Sequence, residues 1–514
     1  MPDASQQPPG ALEIADAAWQ AAMAGGERPS VVVTAARPGR QFIPVALDPR
    51  DPMPSARMLV QQAFAQAGRR TLLHHRGAFY EWNGACYRPV DGASIVAATW
   101  AFLEQARRRV APSRPRKSSA PFEVPFQPTR GRVSDVLAAL AAACNLPSDI
   151  EPPAWLTPSW SPNVEPLLGR LARPEIGDVL AVRNGLLHLP SGELHPPTPD
   201  FFGLHATDVA FEPAAPQPAE WLAFLRELWP GDAESIDTLQ EWFGLCLSVD
   251  TSHQKILLLV GPKRSGKGTI ARVLTRLLGI DSVAAPTLAS LATNFGLAPL
   301  IGKALAIIGD ARLGTRGDQA IIAERLLSIS GEDAQTIDRK FLPTWTGRLT
   351  TRFSVLTNEL PRLADASGAL ASRFIVLTLT ESFFGREDHA LYSRLVAELP
   401  GILNWARDGF IRLRERGCFR QPESARDAIE ELEALASPVG AFIRERCFVE
   451  PGRSVECQHL FARWSEWAKA NGCRAAGTAQ NFGRDLRAAI PGIKVVRHRT
   501  DDGRIRIYEG ITLR

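Results

Sequence analysis

The sequence predicts a multidomain α/β protein with a strand–loop–helix unit near its centre. The chain has 514 residues, which is too long for one hydrophobic core. An apolar run at Ile256–Val260 leads into a loop with two glycines and then into apolar residues at helical spacing. Residues 437–514 hold 14 Lys and Arg against 8 Asp and Glu, whereas the whole chain has a net charge of only +4. A basic end module on a nearly neutral body favours a polyanionic partner; a merely solvated basic face is the alternative.

Composition argues against a membrane-spanning or disulfide-rich protein. No apolar run approaches the ~20 residues of a membrane span, and the first residues lack the basic-then-apolar pattern of a signal peptide. The seven cysteines are scattered without a Cys-x-x-Cys pair, which argues against a zinc ribbon or a disulfide framework. We therefore expect a cytoplasmic protein without a membrane partner.

Changes in composition and periodicity divide the chain into segments. We expect a flexible arm at residues 1–50, an α+β domain at 51–215 and the domain with the glycine loop at 216–385. A helical cap at 386–436 and a basic end domain at 437–514 follow. Inside the α+β domain, turn residues at Arg76-Gly77 and Asn83-Gly84 predict short hairpins.

The loop after Ile256–Val260 reads GPKRSGKGT and has the residues that phosphate binding requires. Its glycines allow a tight turn with inward-pointing N–H groups, and the following helix adds the positive end of its dipole. Lys267 can reach the β- and γ-phosphates of a nucleotide. An accidental strand-to-helix turn is the alternative. The predicted nucleotide-binding residues are Gly261, Pro262, Lys263, Arg264, Ser265, Gly266, Lys267, Gly268 and Thr269.

One position departs from the usual signature, which has Ser or Thr directly after the lysine. Here that residue is Gly268, and Thr269 follows one position later. We expect Thr269 to hold Mg²⁺, directly or through a water.

Two further apolar strands are predicted to end in residues that suit ATP hydrolysis. Residues 301–309 lead into Asp310, which we expect at the end of the strand beside the loop, where a carboxylate orders Mg²⁺ and the attacking water. Phe353–Thr357 leads into Asn358, which fits a sensor that hydrogen-bonds the γ-phosphate or the water. Turn formation is the alternative for Asp310.

Arg373 stands at the start of the next predicted strand and fits an arginine finger, which is worth roughly 10³–10⁵ in rate where it is known. Arg362 is the second candidate, and ordinary surface ion pairs are the alternative for both.

Residues 336–353 are predicted to form a β-hairpin in which Trp345 is interleaved with cations. This pattern suits a groove that follows a nucleic-acid backbone; an ordinary amphipathic hairpin is the alternative. The cations assigned to DNA contact are Arg339, Lys340 and Arg348.

Residues 437–514 predict three helices followed by a basic hairpin, which describes a winged helix. In the third helix, Gln480–Ala489, Phe482 and Leu486 point inward. A winged helix that contacts protein is the alternative to DNA contact. The cations assigned to DNA are Arg484, Arg487, Arg497 and Arg499.

Four motifs together resemble the superfamily III helicase core. They are the loop GPKRSGKGT, the strand IIGDARL, the strand end VLTNELPR and the motif ASRF. In particular it resembles the phage/plasmid and poxvirus-type primase-helicase family. The regions around His74–Tyr87 and Trp221–Asp250 are similar to that family's N-terminal helicase-associated domain. The specific part of the resemblance covers residues 256–380, and the order of elements extends it to residues 55–514.

The resemblance implies a P-loop, AAA+-type ATPase core with an α+β N-terminal domain and a C-terminal winged helix. It also implies a homo-hexameric ring with ATP and Mg²⁺ between subunits, where Lys267 and Asp310 of one subunit meet Arg373 of its neighbour. The hairpin with Lys340 would grip single-stranded DNA in the central channel. Many members carry an N-terminal primase, for which this sequence shows no acidic motif, so the resemblance does not extend to priming. A separate primase is a candidate partner.

The leading hypothesis is an ATP-dependent DNA helicase or translocase for replication of a phage, prophage or plasmid-type element. The first alternative is an ATP switch that binds DNA or an origin without unwinding it, which the Gly268 departure leaves open. The second is a nucleotide kinase with a similar loop, although a kinase would leave the N- and C-terminal regions unused. Double-stranded DNA is a further expected partner.

Overall fold

A computed structural model describes residues 41–111, 121–156, 174–309, 316–340, 342–361, 369–471, 477–500 and 503–514. Within these ranges, no helix combines the length and the apolar character needed to cross a membrane. The buried apolar side chains form two large clusters on the two faces of a central sheet, with further clusters in the N-terminal and C-terminal regions.

The N-terminal region packs three helices against short hairpins. Leu59, Phe102 and Leu140 lie at the centre of its apolar core. The helices are α1 (Pro52–Ala63), α2 (Gly92–Gln105) and α3 (Arg130–Ala143). The strands are β1 (Ala65–Gln66), β2 (Arg69–Arg70), β3 (Leu72–His75), β4 (Ala78–Trp82), β5 (Tyr87–Pro89), β6 (Arg107–Val110) and β7 (Phe122–Pro125). The predicted turn between β3 and β4 is confirmed, since Arg76 and Gly77 have φ values of +48° and +79°.

The end of the predicted flexible arm is part of this core, which corrects the expectation for residues 41–50. Phe42 and Leu47 are buried among the helices, and the N–H of Leu47 donates to the carbonyl of Arg107 at 2.7 Å. Because burial of an apolar side chain of this size contributes about 1.5–3 kcal/mol, this segment is held in place. Residues 1–40 of the arm lie outside the described residues.

A second region leads from the N-terminal domain to the central sheet. It contains β8 (Ala154–Trp155), β9 (Val179–Val182), β10 (Gly185–His188), β11 (Leu194–His195) and β12 (Phe201–Phe202). Strands β9 and β10 form an antiparallel hairpin. Helices α4 (Ala219–Leu228) and α5 (Ala233–Leu247) follow, and Trp221 and Phe224 of α4 are buried.

The central sheet has five parallel strands in the order β14-β15-β18-β13-β19. They are β13 (Ile256–Val260), β14 (Val283–Ala284), β15 (Leu305–Gly309), β18 (Arg352–Thr357) and β19 (Phe374–Thr378). Their nearly continuous burial explains the apolar runs in the sequence, because a parallel sheet is covered on both faces. We expected the strand that leads into Asp310 to lie beside β13, but β18 separates β15 from β13.

Helices and one hairpin connect these strands. Helix α6 (Lys267–Leu278) follows β13, and α7 (Leu288–Leu291) and α8 (Arg316–Ser330) flank β15 in the sequence. The antiparallel hairpin of β16 (Ala334–Arg339) and β17 (Leu342–Arg348) precedes β18, as predicted. Helix α9 (Ala369–Arg373) leads into β19.

The predicted helical cap is built from α10 (Leu391–Ala397), α11 (Leu399–Arg416) and α12 (Arg426–Ala436). Its helix α11 touches α5 so closely that a Cβ at Gly409 would lie 2.3 Å from the carbonyl oxygen of Gln240. One apolar cluster runs from Leu180 through β13 to Leu413. The predicted boundaries at residues 215 and 385 therefore do not separate independent cores.

The C-terminal module has the order helix, strand, helix, helix, strand, strand. Its elements are α13 (Pro438–Arg446), β20 (Cys447–Glu456), α14 (Cys457–Ala470), α15 (Ala479–Ala489), β21 (Lys494–Thr500) and β22 (Gly503–Leu513). The three predicted helices and the hairpin are present. Strand β20, which pairs with β22 in an antiparallel three-stranded sheet, was not predicted.

Candidate functional site

The loop between β13 and α6, residues 261–266, is the glycine loop of this protein. Its strand and helix are confirmed, and the apolar residues Ile270, Val273 and Leu277 of α6 are buried as their spacing predicted. The loop lies at the carboxyl edge of the parallel sheet. This is where ligands bind in open α/β sheets.

Both glycines of the loop are required by their surroundings. A Cβ at Gly261 would lie 2.6 Å from the carbonyl oxygen of Leu379, which leaves no room for a side chain. Gly266 has a φ of +87° and stands directly before α6, and a Cβ there would lie 2.9 Å from Leu228 of α4. The glycines thus fix the shape of the loop through its contacts with β19 and α4.

Lys267 is folded into the loop. Its Nζ donates to the carbonyl oxygens of Gly261 at 2.6 Å and Pro262 at 2.8 Å, and to the hydroxyl of Ser265 at 3.0 Å. The side-chain Oδ1 of Asn358 accepts from the same Nζ at 3.3 Å. Burial lowers the pKa of Lys267 from its usual value. The structure therefore brings together Lys267 and Asn358, which the sequence assigned to one site.

A cavity of about 740 Å³ opens beside the loop. Its walls are the glycine loop, helix α4, Asn358 and residues 383–394. The guanidinium of Arg272 stacks over the ring of Tyr392, 4.8 Å from its centroid. A hydrogen bond from Arg394 lowers the pKa of Asp388. Neither Tyr392 nor the 383–394 wall was predicted, because no local pattern shows that this later segment returns to the loop.

Gly268 stands where the usual signature has Ser or Thr, and its surroundings are open. A Cβ at Gly268 would meet no heavy atom within 4 Å, so this position faces open space. Thr269 lines the same cavity, and its hydroxyl lies 3.4 Å from a guanidinium nitrogen of Arg272. Thr269 therefore lies in the wall of the cavity.

The segment after β19 is tied to the glycine loop. The N–H of Phe383 donates to the carbonyl of Arg264 at 2.9 Å, and the Ser382 hydroxyl donates to the carbonyl of Lys263 at 2.9 Å. Arg264, which has a φ of +59°, also pairs with Glu387 at 3.5 Å. The backbone carbonyls of Lys263 and Arg264, together with the Arg264 side chain, therefore connect the loop to the opposite cavity wall.

Two predicted residues cannot be placed in this geometry. Strand β15 ends at Gly309, whose partner in β18 is Leu356, so it ends at the same edge as β13. Asp310 follows Gly309 in the sequence but lies outside the described residues, and so does Arg362.

Arg373 is at the opposite edge of the sheet. It ends α9 just before β19, and it donates to the backbone carbonyl of Gln254 at 3.4 Å and to the side-chain oxygen of the same residue. Gln254 precedes β13, whose five residues span about 17 Å at the usual rise of a strand. The structure of one chain therefore does not bring Arg373 to Lys267.

The hairpin β16–β17 has a different character from the predicted DNA-tracking surface. Trp345 is buried and takes part in the apolar cluster on one face of the central sheet, so it does not offer a free stacking face. Arg348 donates to Glu332 and, at 2.8 Å, to the hydroxyl of Thr251 at the root of the hairpin. Arg339 and Lys340 lie at the other end, beside the turn.

The predicted cations of the C-terminal module are exposed. Arg484 and Arg487 lie on the outer side of α15, opposite the buried Phe482 and Leu486. Arg497 pairs across the hairpin with Arg506, and Arg499 with Arg504.

Because directly opposite residues share a face of a sheet, these four arginines form one surface, which we call the arginine face. Arg504 and Arg506 were missed, because only the register of β21 and β22 shows that they stand opposite the predicted pair. Tyr508 continues this face toward α15, where its hydroxyl would lie 2.7 Å from a Cβ at Gly483. The arginine face is therefore continuous with the helix that carries Arg487.

Comparison with known families gives two partial matches. Residues 176–230 match the family described as D5 N terminal like, and residues 259–373 match a family of unknown function, DUF5906. The chain therefore carries a segment of the D5 N-terminal type before the glycine-loop strand. Together the two matched segments contain β9 to β12, helix α4, the glycine loop and the hairpin β16–β17.

Solved structures of one protein region are similar to this chain. An apo structure of the NrS-1 C-terminal region is 12% identical, with 59% of this chain and 77% of that chain covered and a TM-score of 0.41. An A form apo structure of the same region is 13% identical, with coverage of 58% and 77% and a TM-score of 0.39. A further A form structure has the same identity and coverage and a TM-score of 0.37.

Proposed function

We propose that this protein is an ATP-dependent DNA helicase or translocase that acts in replication of a phage, prophage or plasmid-type element. The observation that carries the proposal is the contact between Lys267 and Asn358 beneath an open cavity at the carboxyl edge of the sheet. The D5 N-terminal match of residues 176–230 supports a replication protein of this type.

The cavity suits a nucleoside triphosphate. Its volume of about 740 Å³ lies within the common range of small-molecule sites. The Nζ of Lys267 is now held by carbonyl and hydroxyl oxygens, and phosphate oxygens would take their place as acceptors. Mg²⁺ would neutralise charge that develops on the phosphates. Thr269 and Asp310 are the residues that would hold it.

Hydrolysis would use residues from two subunits. Asn358 would orient the γ-phosphate or the attacking water, since it already contacts Lys267. Arg373 is about one strand length from the glycine loop of its own chain. We therefore assign Arg373 to the site of a neighbouring subunit in a homo-hexameric P-loop, AAA+-type ring.

DNA would meet the protein at two places. The turn end of the hairpin, with Arg339 and Lys340, would contact single-stranded DNA in the ring. The C-terminal module has the element order of a winged helix, and the arginine face with Arg484 and Arg487 would contact DNA phosphates. Facing arginines repel each other, and a polyanion relieves that repulsion.

The test is ATP hydrolysis by the full chain with and without single-stranded DNA, followed by strand displacement. We expect DNA to stimulate hydrolysis and ATP to drive strand displacement. ATP binding without stimulated hydrolysis would overturn the translocase and leave the second candidate, an ATP switch that binds DNA. The observation that favours this second candidate is the open space at Gly268, where the usual hydroxyl is missing.

A further inference from the structure

The short loop that precedes β13, residues 250–255, is hydrogen-bonded to two parts of the chain that are distant in sequence. On one side Lys255 donates to the carbonyl of Ser372 at 2.7 Å, and Arg373 donates to Gln254. On the other side Thr251 contacts Glu332 and Arg348 at the root of the hairpin β16–β17. The far end of β13 carries the glycine loop, so one strand joins all three places.

Gln254 is the residue that touches both sides. Its backbone carbonyl and its side-chain Oε1 both accept from Nη1 of Arg373. Its side-chain nitrogen donates to the carbonyl of Gly331 at 3.5 Å, three residues before the hairpin begins at Ala334. The guanidinium of Arg373 also lies against this point, because a Cβ at Gly331 would be 3.7 Å from its Nη2.

The backbone conformation of this loop is costly. Gln254 has a φ of +54°, a left-handed conformation that costs a non-glycine residue roughly 1–2 kcal/mol. Glu332, which accepts from Arg348 on the other side, has a φ of +70°. Such strain persists only where the surroundings enforce it, and it is often stored at functional sites. Glutamine thus occupies a position where glycine would fit with less strain, and its side chain makes the contacts with Arg373 and Gly331.

We propose that Gln254 is a positioning residue that aims Arg373 at the neighbouring subunit and ties its position to the root of the hairpin. The proposal rests on the proposed function, because it gives Arg373 its role in hydrolysis and the hairpin its role in DNA contact. When the hairpin is displaced by DNA, Gly331 moves relative to Gln254, and the guanidinium of Arg373 moves with it. DNA contact would in this way change the rate of hydrolysis in the next subunit.

Two substitutions separate the two contacts of the side chain. Gln254→Gly removes both and also relieves the left-handed strain, so the chain should fold. Gln254→Glu keeps an oxygen acceptor for Arg373 but loses the N–H donor to Gly331. The matched control is Gln421→Ala, since Gln421 also bridges backbone groups of β19, at Val376, but touches neither Arg373 nor the hairpin.

The measurements are made on the full chain. Hydrogen exchange of the amides of residues 331–336 measures how firmly the root of the hairpin is held in place, and it requires no ATP. ATPase kinetics with and without single-stranded DNA, and the Kd of a fluorescent ATP analogue, report the coupling.

We expect faster exchange in both Gln254 variants and not in the control. We also expect kcat of Gln254→Gly to fall about tenfold with little change in the Kd of the ATP analogue. The reason is that Arg373 would be wrongly positioned for catalysis, whereas the nucleotide contacts would remain. Gln254→Glu should keep more of its basal hydrolysis than Gln254→Gly but lose stimulation by DNA.

Unchanged exchange in both variants would overturn the inference, whether or not the chain hydrolyses ATP. If DNA stimulates ATP hydrolysis equally in the unsubstituted protein and in Gln254→Glu, the coupling role is overturned, even if hydrogen exchange is faster in the variant. A parent protein without DNA-stimulated hydrolysis would overturn the proposed function, and the exchange result would still decide whether Gln254 holds the hairpin root.

Discussion

At the carboxyl edge of the central sheet, β13 and β18 end beside an open cavity, whereas at the amino edge the same strands begin inside a closed hydrogen-bond network. Lys267 at the first edge is held by the carbonyl oxygens of Gly261 and Pro262, and it borders the cavity. Arg352 at the second edge is buried and donates to the carbonyl of Asp250. The comparison teaches that burial alone does not distinguish two cations at the edges of one sheet: Lys267 borders an open cavity, whereas Arg352 is enclosed by its own chain.

The largest expected effect tests the open edge. Lys267→Ala should lower ATP turnover at least about a hundredfold, because the phosphates lose their charged donor. The measurement is phosphate release. The control is Lys303→Ala, since Lys303 also has a pKa lowered by burial and donates to a backbone carbonyl but lies outside the cavity. Equal turnover in Lys267→Ala and the parent would show that the cavity is not the hydrolysis site.

A second test compares two glycines at the open edge. Gly261→Ala should destabilise the protein by about 1–3 kcal/mol and abolish ATP binding, because its Cβ collides with the backbone of Leu379. Gly268→Ala should raise stability by up to about 1 kcal/mol, because the position is helical and open. Thermal unfolding and ATP titration measure both. Similar losses in the two variants would mean that the loop is not shaped by the contact with Leu379.

A third test compares two arginines, Arg352 at the closed edge and Arg272 at the cavity. Arg352→Ala should lower the free energy of unfolding by about 2 kcal/mol through loss of its charged hydrogen bond, with no change in ATP affinity. Arg272→Ala, at the cavity, should weaken ATP binding with a stability change within about 0.5 kcal/mol. Urea unfolding and ATP titration provide the two readouts. A loss of ATP affinity in Arg352→Ala larger than that in Arg272→Ala would remove the distinction between the edges.

The smallest effect extends the comparison to the arginine face, whose cations are exposed. Replacing Arg497 and Arg506 together by Ala should reduce the slope of log affinity against log salt by about two for duplex DNA. ATP turnover without DNA should not change. Filter binding at several salt concentrations measures the slope, and an unaltered slope would show that DNA does not contact this face.

Local patterns predicted the elements that carry the open edge. The apolar run of β13, the glycines and the spacing of Ile270, Val273 and Leu277 are all neighbours in sequence, so periodicity was sufficient. The same holds for the hairpin β16–β17 and for the helices of the C-terminal module. Asn358 was found because it follows a strand, and its contact with Lys267 then depended on the strand order.

The closed edge and the arginine face were not predictable in this way. Gln254, Arg373 and Gly331 meet only through the fold, and no spacing marks them. Trp345 and Arg348 fit a nucleic-acid surface by composition, but tertiary packing buries the first and pairs the second. Strand β20 contains Pro451-Gly452 and a register shift between Val449 and Ser454, so its sequence reads as a turn.

The position of β13 in the sheet also governs when the site can exist during synthesis. Both neighbours of β13, β18 and β19, begin about a hundred residues later in the chain. At roughly 5–20 residues per second, a ribosome needs on the order of ten seconds to supply them. During that time the apolar strand has no partner strand, and the cavity beside the glycine loop lacks Asn358 and its 383–394 wall. A nascent chain of this protein therefore has to be shielded at residues 256–260 until its last sheet strand has emerged.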